Sequence, residues 1–266
     1  MTKSVASIVY VSCSKGNCID VLSLDRATGE LAHIGFAELS GNGMPLAIGP
    51  DQRFLYASVF GDPDGAKQPR YETFAIDSVT GILRHTATLP AVARMSYITV
   101  DRGGTFLLGA SVAGSVISSH AIDNNGVLQS EPIDVRQVPS KAHHISTDLT
   151  NRFAFVPNLG GDIVQQLQFD AANGTFADNS PSRAVLPDGA APRHMAHHPD
   201  GRIVYLLNEC AGTLVVYQLD GEAGTLSAIQ TSDILPSGFE GTPWGAQIHV
   251  SADDRFLFTS ERTSSV

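Results

Sequence analysis

The chain has 266 residues, 42% hydrophobic and 17% charged, so it carries enough apolar material for a packed core and is not a disordered chain. A net charge of -10 argues against nucleic acid and anionic membranes as partners, and any anionic ligand would need locally gathered cations. The three cysteines are an odd count, no apolar run approaches the ~18 residues of a membrane span, and the opening residues lack a cleavage signal. We therefore expect a soluble, cytoplasmic protein, although Cys13 and Cys18 are near enough in sequence to pair.

Taken from the start, "SIVYVSCS" reads as a strand, and "DRATGEL" follows it as a polar turn ending in glycine. Next come "PDQRFLYAS" and "DSVTGIL", then "DRGGTFLLGAS" and "DNNGVL", then "DLTNRFAFVP" and "DAANGTF". The series continues with "PDGRIVYLLN" and "DGEAGTL" and stops at "ADDRFLFTS". A short polar run with glycine between alternating apolar segments is a hairpin signal. Each repeat holds two hairpins and so four strands. Repeats of about 40–50 residues with four strands each are propeller blades, and no long helical pattern interrupts them.

The residue before each second strand anchors the alignment: Arg53, Thr105, Arg152, Arg202 and Arg255, spaced 47 to 53 residues apart, with Ser7 opening a half copy. The fold expected is all-β, a single propeller domain of four-stranded blades, stopping after about five and a half of them. A seven-bladed ring would need about 75 further residues at this period, so the chain reads as truncated.

Residues that recur in every blade are scaffold. The turn residues Asp51, Arg53, Arg152, Asp200, Arg202 and Arg255 belong here, as do the repeated glycines Gly29, Gly81, Gly126, Gly174 and Gly224. Residues that break the repeat are candidates for function. Nine residues before the anchor stand Met44, Ser96, His143, Arg193 and Ala246. Seven after it stand Ser14, Phe60, Val112, Leu159, Glu209 and Arg262. One position begins a strand and the other ends its hairpin partner, so the two lie side by side. His143, Arg193, Glu209 and Arg262 should meet at one mouth of the central channel. Three cations and one carboxylate leave positive charge for an anionic substrate; a purely structural inter-blade salt bridge is the alternative.

His144 and His194 follow cluster members directly. Strand alternation turns them to the other face, where packing is the simpler role. With Asn208 and Gln247 they are the candidate substrate contacts. His197, His198 and His249 read as structural, and no histidine pair has the spacing of a known metal motif, so no metal is expected. The loop "LPSGFEGTPWGAQ", with Phe239 and Trp244, is either a lid over the mouth or a surface loop with a buried tryptophan.

The segments "HHISTDLTNRFAFVPNLGGD", "APRHMAHHPDGRIVYLLNEC" and "WGAQIHVSADDRFLFTSERT" resemble the seven-bladed lactonases, a family that includes the propeller type of 6-phosphogluconolactonase and the fungal carboxymuconate cyclase. "PRH" followed by a strand ending in "NE" is the most specific signal. The resemblance implies His143, Arg193, Glu209 and Arg262 as active residues and cofactor-free hydrolysis of a sugar lactone, most simply 6-phosphogluconolactone. Either Glu209 or His143 would be the base, and the arginines would hold the carbonyl oxygen or a phosphate. Family members often carry an acidic residue where Gln247 stands, and asparagine where Ser111 and Glu261 stand. A lactonising cycloisomerase acting on a dicarboxylate and a non-catalytic binding propeller are the other readings. The sequence sets no oligomeric state.

Overall fold

A computed structural model describes residues 7–61 and 68–264, and every regular element among them is a β-strand. The first sheet holds β1 (Ser7–Cys13), β2 (Cys18–Leu24) and β3 (Leu31–Glu38). The second holds β4 (Asn42–Ile48), β5 (Phe54–Phe60), β6 (Arg70–Ile76) and β7 (Leu83–Pro90). The third holds β8 (Tyr97–Val100), β9 (Phe106–Ser111), β10 (Val116–Ala121) and β11 (Asp134–Gln137). The fourth holds β12 (Ser146–Thr147), β13 (Phe153–Asn158), β14 (Ile163–Asp170) and β15 (Thr175–Val185). The fifth holds β16 (Pro192–His197), β17 (Ile203–Asn208), β18 (Thr213–Asp220) and β19 (Thr225–Asp233), and the hairpin of β20 (Gly245–Val250) and β21 (Leu257–Glu261) follows. Strands pair antiparallel in chain order within each sheet, as expected of propeller blades.

The two repeated sequence signals each close one hairpin. In the turn before each second strand an aspartate caps exposed backbone amides. Asp101 Oδ1 accepts from the N–H of Thr105 and of Phe106, both at 2.7 Å, and Asp148 Oδ1 accepts from Arg152 and Phe153 at 2.8 and 2.9 Å. Asp51 and Asp200 accept from the amides of Arg53 and Arg202 in the same way. The guanidinium groups of Arg53, Arg152 and Arg255 lie over the next aromatic ring, that of Arg152 at 5.4 Å from the centre of Phe153.

The core lies between blades. Phe106, Leu108 and Ile117 of the third sheet pack with Ala154, Val156 and Phe169 of the fourth. Phe155 and Val164 of the fourth pack with Leu206 and Tyr217 of the fifth. The repeated glycine makes each junction possible. Gly126 adopts φ 77°, and a Cβ there would run into the ring of Phe54 on the preceding blade. Gly174 meets Phe106 and Gly224 meets Phe153 in the same manner. The lock needs both a left-handed backbone and an absent side chain. A Gly126→Ala variant is expected to lose about 2–4 kcal/mol, strain plus overpacking, read as a lower midpoint in urea unfolding. An unchanged midpoint would show that the blades separate freely there.

No helix among the described residues is long and apolar enough to cross a membrane. Cys13, Cys18 and Cys210 are all free thiols.

Candidate active site

The first strand of three sheets carries a one-residue register shift at the position the sequence frame isolates. It falls between Pro192 and His194 on β16, between Gly43 and Leu46 on β4, and between Gly245 and Ile248 on β20. Around β12, Ala142 pairs with Asn158 but Ser146 pairs with Phe155, which is the same slip. An extra residue of this kind re-aims side chains at the end of a strand.

Arg193 is delivered to the mouth by this bulge. Its Nε donates to Glu209 Oε2 at 2.7 Å, and its Nη1 donates to the Ala246 carbonyl on β20. Glu209 follows the last residue of β17, and its backbone N–H donates to the Ala191 carbonyl at 2.8 Å, fixing the two chain segments together. Arg262, just beyond β21, donates from Nη2 to the same Glu209 oxygen at 2.9 Å. Two guanidinium groups from different blades therefore converge on one carboxylate oxygen. Among the described residues Glu209 Oε1 takes no hydrogen bond. Side-chain exposure is 13% for Arg193, 15% for Glu209 and 35% for Arg262, so the pair is half-enclosed and Arg262 faces outward.

The long loop supports this arrangement from outside. The guanidinium carbon of Arg262 lies 3.8 Å from the centre of the Trp244 ring, and its backbone N–H donates to the Trp244 carbonyl at 3.1 Å. Trp244 is half-exposed, which removes the buried-tryptophan alternative for this loop. It is a stacking floor for the arginine. Glu261, beside Arg262, is buried and turned inward, where it accepts from the Trp244 N–H at 2.6 Å and from Ser264. Burial pushes its carboxyl up, but the Ser264 hydroxyl and the amides of Ser264, Thr263 and Trp244 outweigh that and hold it at about 2.

His143 was expected as a third cation, and the structure corrects this. Burial, then the charges of Arg193 and Arg262, push its imidazole down to about 4, so it is neutral near pH 7. Its Nδ1 is buried without a partner. The charged part of the cluster is thus two guanidiniums and one carboxylate, and an excess of one positive charge remains.

His144 and His194 do not point away from the channel, as alternation requires. The bulge breaks the alternation, so neighbouring residues both face inward. The His194 ring centre lies 4.9 Å from that of His143, edge to face, and 5.5 Å from that of His144, tilted. Tyr97, the equivalent residue one blade earlier, lies 4.0 Å from His144. Gln247, the equivalent residue one blade later, places Oε1 against His194 Nδ1. Position eight before the anchor thus forms a belt under the mouth: Tyr97, His144, His194 and Gln247. An acceptor at Nδ1 leaves His194 Nε2 to accept from Arg193 Nη1, 3.2 Å away. Burial lowers all three histidines, His194 to about 2 and His144 well below its usual value. The belt is a neutral support behind the charged cluster. Tyr97 was absent from the expected site; equal spacing from the anchor was the signal that identifies it.

Below the belt a cavity of about 370 Å³ runs down the inner strands, lined by Tyr97, Thr99, His144, Ser146, His194 and His249 among others. Arg193, Glu209 and Arg262 are not in its wall. Arg102 is the guanidinium in that wall. Asn208 is 2% exposed and donates from Nδ2 to Thr213 Oγ1 at 3.0 Å, while at the equivalent turn position of other blades Ser111 and Glu261 accept from the backbone N–H of Gly114 and of Ser264.

A family described as "Lactonase, 7-bladed beta-propeller" matches residues 7–266. A relative named 6-phosphogluconolactonase from Pectobacterium carotovorum subsp. carotovorum is 33% identical over 259 residues, which is 97% of this chain and 75% of the relative. One of the same name from Yersinia pestis is 32% identical over 262 residues, 97% of this chain and 74% of the relative. Among solved structures, a periplasmic gluconolactonase of Pseudomonas aeruginosa superposes with a TM-score of 0.87 at 25% identity, covering 97% of this chain and 76% of its own.

Proposed function

Because the chain belongs to the seven-bladed β-propeller lactonase family, we propose that it hydrolyses a sugar lactone, 6-phosphogluconolactone, to 6-phosphogluconate at the channel mouth. The relatives' names supply the substrate. The observation that carries the site is the convergence of Arg193 and Arg262 on Glu209 Oε2 beside an uncommitted Oε1.

In this reading a water bound at Oε1 attacks the lactone carbonyl carbon while Glu209 takes its proton. The carbonyl oxygen gains negative charge, and Arg262, the more exposed guanidinium, meets it. Collapse of the tetrahedral species breaks the ring C–O bond, and the ring oxygen recovers a proton. The product acid then ionises, so one proton is released per turnover near pH 7. Arg193 holds Glu209 in place and adds to the positive field. Neutral His143 is a second proton acceptor at the mouth. His144, His194, Asn208 and Gln247 act mainly as support, with Gln247, the exposed member, nearest to substrate. The chemistry requires no cofactor. Three free cysteines favour the cytoplasm.

Glu209→Gln is expected to lower kcat about 10²–10⁴-fold, toward the spontaneous rate, with the circular-dichroism spectrum retained. Wild-type turnover in that variant would remove Glu209 from the chemistry.

A further inference from the structure

We propose that Cys13, Cys18 and Asp20, with His33 behind them, form a binding site for one thiophilic divalent cation of the zinc class on the first sheet. The site is independent of the channel mouth and of the lactonase reading.

The hairpin between β1 and β2 sets it up. Cys13 and Cys18 are directly paired across the two strands, and the Gly16 N–H closes the turn on the Cys13 carbonyl at 3.0 Å. Asn17 holds a left-handed φ of 49° within this turn. Ile19 and Val21 of β2 are fully buried in the core shared with β5 and β6. Alternation therefore turns Cys18 and Asp20 together to the opposite face of the strand. There the two sulfurs and a carboxylate oxygen of Asp20 lie within 4.8 Å of one another, all three residues half-buried. Cys13 Sγ donates to Asp20 Oδ2 at 3.1 Å. The other carboxylate oxygen, Oδ1, lies 3.3 Å from His33 Nε2 on β3.

These separations suit a tetrahedral ion. Ligand bonds of about 2.0–2.3 Å place neighbouring ligand atoms roughly 3.3–3.8 Å apart, within reach of small side-chain adjustments here. Two cysteines with four residues between them in a tight turn are a usual way of offering thiolates to zinc. Three strands hold the set, so little ordering is required on binding. His33 would orient the carboxylate from the outer sphere or swing in as a fourth ligand; water fills that position otherwise. Binding is balanced by loss of one proton from each thiol: the cation forms two metal–sulfur bonds and two protons go to solvent.

The test is a titration of the fully reduced 266-residue protein with Co²⁺, followed by displacement with Zn²⁺. One equivalent should bind with a thiolate-to-metal charge-transfer band. Cys18→Ser should abolish the band, and Cys210→Ser should leave it intact. His33→Ala should weaken affinity about 10-fold or more. Circular dichroism shows whether each variant is folded. The band missing from the reduced, folded wild type would overturn the proposal. So would a band that survives Cys18→Ser, or oxidation of Cys13 and Cys18 to a disulfide at the same rate with and without Zn²⁺.

Discussion

An Arg193→Gln variant is expected to lose about 10²–10³ of kcat/KM and to unfold at a lower urea concentration than the parent. The side chain joins three segments: β16, which carries it; Glu209 at the end of β17; and the Ala246 carbonyl on β20. Removing it leaves Glu209 with one guanidinium instead of two. Breaking a fully buried ion pair from one side costs about 3–5 kcal/mol, and the partial exposure of this pair reduces that to about 2. Arg193→Lys separates the two effects. It restores charge but not the fork that reaches Glu209, Ala246 and His194 at once, so stability should recover further than rate. Arg262→Gln gives the same separation, because Arg262 is more exposed: rate should fall with little change in stability. Full activity in Arg193→Gln would mean that the mouth is only a structural junction.

The second large effect is on acid stability. Burial pushes His120, His143 and His197 each down to about 4 and His194 to about 2. His120 illustrates the cause: it is buried on β10 against the edge of Tyr71, and neither ring nitrogen has a partner. Unfolded, these groups titrate near 6.5. Between pH 6.5 and 4 the unfolded chain therefore binds protons that the folded chain does not. Stability is fully present above pH 6.5 and falls as pH drops toward 4. Each shift from 6.5 to about 4 corresponds to roughly 3 kcal/mol, so three together match a typical domain's entire stability. The protein is expected to unfold within this window, before most of its carboxylates protonate. His120→Gln should move the midpoint to lower pH. A urea midpoint that is flat from pH 7 to 4.5 would show that the buried imidazoles are charged or water-filled.

The blades were legible because two independent turn signals recur in phase, and turn chemistry is local. Asp101 and Asp148 cap amides within five residues of themselves, so sequence alone identifies them. Arg193, Glu209 and Arg262 were legible for the opposite reason: they break a repeat whose geometry is otherwise fixed. Alternation misplaced His144 and His194 because the bulges in the inner strands leave no local composition signal. Tyr97 was hidden because an aromatic residue in a strand reads as core. Trp244 was undecidable between lid and core, since its partner, Arg262, lies 18 residues away across a hairpin.

The most direct measurement is proton release at constant pH 7 on adding fresh 6-phosphoglucono-1,5-lactone to the folded protein, with the unphosphorylated lactone alongside and the spontaneous rate subtracted. The account predicts acceleration of the phosphorylated lactone well above the spontaneous rate. A folded protein that leaves that rate unchanged would contradict it.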